Sequence, residues 1–230
     1  ITPTHNRSAF LKIAMQSVLD CGYENLQYVI IDDASSDDTK QVVEEFIRTY
    51  PDIITYIRNE KNLRESGSIN CGWNEAQGKY VVTLSDDDFF LPNWFEQSVP
   101  LMEKNPHIIV GYPDWNKVDE GGKVIKTIYM EEYDFVKLFA TCANMPGPGV
   151  IIRKSFLEDK KYLREEKYTY AADYEMWLIL ATKAPFAHIP HITCCWRQHE
   201  KSLTCKPNMD NKTTELEVAI NKFVEDYKNI

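Results

Sequence analysis

The chain has 230 residues, enough for one large domain with a sizeable core. Hydrophobic residues make up 43% and charged residues 27%, with 9 Gly and 11 Pro, which excludes disordered, collagen-like and low-complexity classes. Against 35 acidic side chains stand 26 basic ones, and the resulting charge of −9 argues against nucleic acid as a partner bound through its phosphates.

In chain order, residues 27–31 form a β-branched and aromatic run that reads as a strand, followed by Asp32, Asp33 and a Ser/Asp cluster able to cap a helix. Over 37–50 the apolar positions Val42, Val43, Phe46 and Ile47 recur at helical spacing, and Pro51 ends the run. A second strand is expected at 53–57, a helix at 66–77 closed by Gly78, and a third strand at 79–84. Asp86, Asp87 and Asp88 stand directly past its end. Strands alternating with helices imply right-handed crossovers and a mostly parallel, doubly wound α/β sheet, whose ligands bind beyond the carboxyl ends of the strands. Both acidic clusters fall at such ends and are expected to converge on one crevice.

Beyond Pro92 the pattern becomes α+β: a helix to about Lys104, a strand at 107–112, and a turn, Asp119-Glu120-Gly121-Gly122, between short strand-like runs. The passage Met145-Pro146-Gly147-Pro148-Gly149 precedes an apolar run at 150–152, and an aromatic and Leu-rich helix follows Asp173. The tail after Lys206 is polar, then helical from about Thr214, able to pack on the body or reach a partner. Apolar runs such as 80–84 and 186–189 are far shorter than the roughly 20 residues that span a bilayer. The chain starts at Ile1 without a basic-then-apolar leader, so no signal peptide is visible in it. Six cysteines (21, 71, 142, 194, 195 and 205) include no C-x-x-C pair, and the expectation is reduced thiols in a cytoplasmic setting.

Taken singly, the polar clusters have ordinary explanations. Asp33 suits a turn or N-cap, Asp173 the cap of the helix after it, and His199 an exposed surface. Three adjacent aspartates repel one another at a single strand end, which points either to a cation or to a solvated loop.

Together, in content and order, the clusters resemble glycosyltransferase family 2, which has the GT-A fold. Thr2-Pro3-Thr4-His5-Asn6-Arg7 is similar to that family's Pro-Thr-Tyr-Asn-Arg signature, with His5 in place of Tyr. Ile30 to Asp37 resembles its Val-Asp-Asp-Gly-Ser-x-Asp, and Asn62 to Gly72 with Ala76-Gln77-Gly78-Lys79-Tyr80 its Asn-x-Gly and Ala-x-Gly-x-Tyr stretches. Ser85-Asp86-Asp87-Asp88 with Leu91-Pro92 falls on its Asp-x-Asp-Asp and trailing Leu-Pro, and Arg197-x-His199-x-x-Ser202 on a later Arg-x-His-x-x-Ser. The resemblance covers about residues 1–205. It implies a Rossmann-like, mostly parallel central sheet flanked by helices, with a nucleotide-sugar half at 1–92, a smaller α+β acceptor-side half at 93–205, and a helical tail at 206–230.

The same resemblance implies the chemistry: inverting, metal-dependent transfer of a sugar from a nucleotide diphosphate, in the first place a UDP-sugar, to a hydroxyl of a glycan or lipid-linked acceptor. Asp87 and His199 would hold Mn²⁺ or Mg²⁺, with Asp86 beside them and Asp88 structural; Pro3, Thr4, Asn6, Asp33, Arg64 and Asp86 would serve the nucleotide. Arg64 stands where the family commonly has glycine. Asp173 would be the base that takes the acceptor proton, and Trp177, four residues on, is either a wall for a sugar ring or a core residue. Peripheral attachment at the inner face of the cell membrane would suit a lipid-linked acceptor.

Three departures stand out: Ile1 begins inside the family's first strand, which implies an incomplete copy; Ser85 replaces the first Asp of Asp-x-Asp; and Ala172 replaces a Glu before Asp173. A competing reading is a non-catalytic sugar-nucleotide or glycan-binding domain of a larger assembly. A metal phosphatase is disfavoured because no Asp-x-Asp-x-Thr loop is present. Dinucleotide enzymes and NTPases lack their glycine fingerprints here.

Overall fold

A computed structural model describes residues 1–142, 145–157, 164–200, 202 and 209–228. Three parallel strands, β1 (Thr2–Thr4), β2 (Tyr28–Asp32) and β3 (Ile54–Arg58), pair in that order. All five residues of β2 are buried, as expected of a central parallel strand covered on both faces. The crossovers are α1 (Ser8–Asp20) and α2 (Thr39–Thr49). The sequence reading leaves α1 unassigned, although its buried Leu11, Ala14, Met15 and Val18 fall at i, i+3, i+4 and i+7. α2 buries Thr39, Val43 and Phe46 in the same manner.

After α3 (Arg64–Glu75) comes β4 (Tyr80–Val82). Ile1 N donates to Val82 O and Leu84 N to Ile1 O, both at 2.9 Å, which is the bonding pattern of a parallel ladder. β4 is thereby joined to β1, and the strand sequence β3-β2-β1-β4 is continuous. On its other side β4 opens a second sheet through β8 (Ile151–Arg153), β6 (Val110–Val118), β9 (Phe186–Arg197) and β5 (Phe89–Phe90), with β7 (Val124–Ile128) as a hairpin partner of β6.

The expected mostly parallel sheet requires correction here. Within the second sheet only β6 and β9 run parallel; β4–β8, β6–β8, β5–β9 and β6–β7 are all antiparallel. Hydrophobic periodicity reports which faces are buried and carries no information on a neighbour's direction. β6 also continues past its expected end at 112. Pro113 and Asp114 look like breakers, but the register against β9 shifts at this point and the strand resumes to Val118.

α4 (Trp94–Lys104) and α5 (Phe135–Thr141) precede α6 (Ala172–Ala181), a helix buried almost all round and covered by α7 (Met209–Tyr227) through Ala219 and Phe223. Trp177 lies in this core, its ring edge-on to Phe186 at 6.2 Å, and does not form a sugar wall. Cys21, Cys71, Cys142, Cys194 and Cys195 are free thiols, whereas Cys205 lies outside the described residues. Among the described residues no helix is long and apolar enough to cross a membrane.

A buried arginine ties the helical layer to the second sheet. Arg153, at the end of β8, donates from Nε to Ile108 O (3.1 Å), from Nη2 to Met102 O (2.9 Å) and Asn105 O (3.2 Å), and from Nη1 to the Tyr80 hydroxyl (3.2 Å). Two of these carbonyls end α4, where a cation also meets the negative end of the helix dipole. Arg153→Ala is expected to lower stability by about 2–3 kcal/mol in urea unfolding, because it strands several buried carbonyls at once.

Candidate functional site

Both acidic clusters occupy the carboxyl edge of the parallel strands, and Thr4 at the end of β1 touches each of them. Its carbonyl accepts from Asp33 N (2.8 Å) and its hydroxyl donates to Asp86 Oδ2 (2.8 Å). The crevice expected from strand order therefore closes around this one residue.

The two aspartates after β2 divide their work. Asp32 is fully buried and accepts from the Tyr56 hydroxyl (2.6 Å), Arg58 Nη1 (2.6 Å) and Ser35 N (2.7 Å). Burial works against its charge, but the Tyr56 and Ser35 hydrogen bonds and the Arg58 guanidinium outweigh it and hold the carboxyl below its ordinary value. Asp33 turns toward α3: its Oδ1 accepts from Leu63 N (2.7 Å) and Asn59 Nδ2 (2.8 Å). Asn6 has φ 55°, and its Oδ1 accepts from Ser36 N (2.6 Å), the Ser36 hydroxyl (3.2 Å) and Asp37 N (3.3 Å). That oxygen pins the loop after β2 to the loop after β1. Pro3 lies within β1, paired with Ile31.

Arg64 opens α3 with φ 63°, a left-handed conformation that favours glycine. The backbone thus keeps the shape of the glycine that the family pattern has here, with an exposed arginine side chain added one residue past the Leu63 amide bound by Asp33.

The second cluster is a charge network. Arg7 Nη1 lies 3.0 Å from Asp86 Oδ1 and 2.8 Å from Asp87 Oδ2, and His199 Nε2 lies 2.9 Å from the same Asp87 oxygen. Arg197 N donates to Asp88 Oδ1 (2.8 Å) and its Nε to Asp87 O (2.8 Å). The Phe10 ring packs against His199 at 4.9 Å and under the Arg197 guanidinium at 5.3 Å. Burial pushes the Asp86 carboxyl up to about 6, with Arg7 opposing and Asp87 adding to the rise. Burial, and after it the Asp87 charge, raises Asp88 well above the ordinary carboxylate range. Burial also works against the charge of Arg7, but Asp86 and Asp87 together hold it above its ordinary value.

Carboxylate and imidazole are groups able to bind Mn²⁺ or Mg²⁺, but here the Asp87 oxygen and the His199 nitrogen, 2.9 Å apart, are paired with each other and the same oxygen meets Arg7. Asp86 and Asp88 have oxygens engaged by Thr4, Arg7 and Arg197. Among the described residues no group of three or more His, Cys, Asp or Glu could hold a metal ion, so a cation bound here needs further donors from a ligand or water.

Asp173 lies in the first turn of α6, half-buried, with Oδ1 accepting from Tyr174 N (2.8 Å). It does not cap the helix; the N-cap is Ala171. No hydrogen bond or ion pair among the described residues joins it to the aspartate and histidine network. The sequence reading quotes Arg7 and Arg197 only as members of motifs. Nothing in their spacing shows that both side chains turn onto the aspartates, because the partners are 79 to 110 positions away. Residues 201, 203 and 204 of the His199 stretch lie outside the described residues.

Thr4→Val is expected to cost about 1–3 kcal/mol in urea unfolding, since it leaves a buried Asp86 oxygen without its donor, whereas Thr4→Ser should retain most of the stability.

Known proteins share this fold. The structure superposes on S. aureus TarS, solved with UDP, with a TM-score of 0.77 at 18% identity, covering 97% of this chain and 64% of that one; TarS with UDP-GlcNAc gives the same TM-score. The mannosyltransferase PcManGT of Pyrobaculum calidifontis, solved with GDP-Man and Mn²⁺, gives 0.67 at 15% identity over 87% of this chain and 56% of that one. These likenesses establish a shared mixed α/β fold of the GT-A type. In sequence, a glycosyltransferase of Methanocaldococcus jannaschii described as uncharacterised is 27% identical over 183 residues, 77% of this chain and 62% of that protein. A relative in Rickettsia prowazekii, also described as an uncharacterised glycosyltransferase, is matched over 56% of its length, so the chain spans about three fifths of these curated relatives. The model of glycosyl transferase family 2 matches residues 1–160, the stretch that holds β1 to β4 and both acidic clusters, and the chain belongs to that family.

Proposed function

We propose that the chain transfers a sugar, with inversion, from a UDP-sugar to a hydroxyl of a glycan or lipid-linked acceptor, with Mn²⁺ or Mg²⁺ as cofactor. The observation that carries this reading is the Asp87, His199 and Arg7 array beside Asp33 on a single sheet edge, bridged by Thr4.

A nucleoside diphosphate would lie along that edge. Asp33 keeps one carboxylate oxygen outside its Leu63 and Asn59 bonds and so has an acceptor for an N–H of the base. Pro3, Thr4 and Asn6 shape the nucleoside end, the last two by holding the loops. Arg64 extends from the start of α3 toward the diphosphate. Asp87 and His199 would hold the cation, whose charge stabilises the departing diphosphate. Arg7 adds a second positive charge on the same side. Asp173 removes the proton of the acceptor hydroxyl as it attacks the sugar from the face opposite the leaving group, the geometry that a single carboxylate base serves. UDP is favoured as the nucleotide because TarS, whose fold this chain shares, was solved with UDP and with UDP-GlcNAc.

The test is calorimetric titration with UDP, GDP and dTDP, each with and without Mn²⁺. UDP binding that depends on Mn²⁺ is expected; absence of binding by every nucleotide favours a domain without a donor site. Asp87→Ala should abolish the Mn²⁺-dependent part. Asp173→Asn should leave UDP affinity within about twofold and lower transfer at least about 100-fold, as loss of a general base does; near-normal transfer would remove Asp173 from the role. Arg64→Gly should raise stability by up to about 1 kcal/mol by relieving the left-handed backbone while weakening UDP binding several-fold. Unchanged binding would leave Arg64 as a solvated side chain.

A further inference from the structure

The helix that carries Asp173 lacks a cap of its own. Its N-cap residue is Ala171, and Asp173, two positions into the helix, binds only its neighbour's amide among the described residues. The amides just before the first turn are satisfied from elsewhere. Glu215, on α7, accepts from Thr169 N with Oε1 (3.1 Å) and Oε2 (2.9 Å), and its Oε2 also accepts from Tyr170 N (2.6 Å) and Ala171 N (3.2 Å). Three consecutive amides converge on one carboxylate at the positive end of a helix, the most favourable setting for such a charge.

The placement of Glu215 is itself held. Glu215, Ala219, Lys222 and Phe223 fall at i, i+4, i+7 and i+8, one face of α7. Ala219 and Phe223 are buried in the core shared with α6, and Lys222 Nζ donates to the buried Glu175 at 2.6 Å. An apolar contact between two polar ones fixes both the rotation and the axial position of α7 against α6. All of this lies beyond residue 160, where the match to the family model ends.

We propose that Glu215 is a positioning residue for transfer: by holding the three amides that lead into α6 it anchors the start of the helix and so fixes where the Asp173 carboxylate projects. This rests on the reading of Asp173 as the base. An N-cap serine or aspartate would act inside the first turn, from within the same segment. Here the amides that lead into the helix are held by an element some 45 residues away, and the base is located relative to the packed body of the domain.

The test uses the full chain and the variants Glu215→Ala, Glu215→Gln and Asp173→Asn. Amide hydrogen exchange across 168–172 reads the cap, calorimetry with UDP and Mn²⁺ reads the donor site and the folded fraction, and UDP release from UDP-N-acetylglucosamine with water as acceptor reads turnover. Glu215→Ala is expected to speed exchange of amides 169–171 at least tenfold. It should keep UDP affinity and stoichiometry within twofold and lower kcat at least tenfold at unchanged donor KM. Glu215→Gln, which retains an acceptor oxygen, should recover most of the lost kcat. A Glu215→Ala enzyme with wild-type kcat, with unchanged exchange, or with a kcat loss matched by an equal loss of UDP stoichiometry overturns the proposal. If Asp173→Asn is inactive while Glu215→Ala is fully active, only the positioning role fails; if Asp173→Asn turns over normally, the base reading fails and the positioning role with it.

Discussion

Three consecutive carboxylates follow β4 in a site with little water, and at an effective dielectric constant of about 20 two unit charges 4 Å apart repel by about 4 kcal/mol. A neutral hydrogen bond returns about 1 kcal/mol net, too little to hold such a cluster by itself. The partners are accordingly charged or numerous: Arg7 for Asp86 and Asp87, His199 for Asp87, the Arg197 amide for Asp88, the Thr4 hydroxyl for Asp86. They come from two distant stretches of the chain, 4–7 and 197–199. Satisfying the cluster therefore draws the end of β1, the start of α1 and the end of β9 to one point, the point at which we propose that the cation and the diphosphate bind.

The aspartates of each cluster differ in how fully they are engaged. Of the pair after β2, Asp32 is saturated by Tyr56, Arg58 and Ser35 and anchors the strand end, whereas Asp33 keeps an oxygen outside its two bonds. Of the triplet after β4, Asp88 is fixed to the Arg197 amide and Asp86 to Thr4 and Arg7, so that Asp87 is the carboxylate that shares an oxygen with the imidazole. The left-handed backbone at Arg64 follows the same logic: a turn that glycine would form without strain is kept because the Leu63 amide next to it must meet Asp33. The half-buried Asp173 is left outside the network, on a helix whose end is closed by another helix.

Much of this was legible from residue order. A β-branched run ending in Asp32-Asp33 and an apolar run ending before Asp86 are enough to put two acidic groups on the carboxyl edge of parallel strands, and Asp33 and Asp87 were separable from their neighbours by family pattern. The helix over Ser8–Asp20 escaped although its buried positions are regular, since Ser17, Gln16 and Lys12 interleave them and no breaker marks its start. β6 appeared to stop at Pro113 because a bulge that restores pairing beyond a proline leaves no periodic trace. Trp177 was ambiguous by spacing, and a helix buried on all sides has no face from which to tell wall from core.

By itself, then, the sequence determined the parallel first half, the position of the acidic clusters at strand ends and the family to which their order belongs, because these depend on local periodicity and on adjacent residues. Tertiary structure alone decided the mainly antiparallel second sheet, the turning of Arg7 and Arg197 onto the aspartates, the loop-pinning work of Asn6, and the closing of α6 by Glu215. These are contacts between groups 30 to 110 positions apart, whose strength depends on distance and burial in the folded chain, and neither quantity is written in spacing along it.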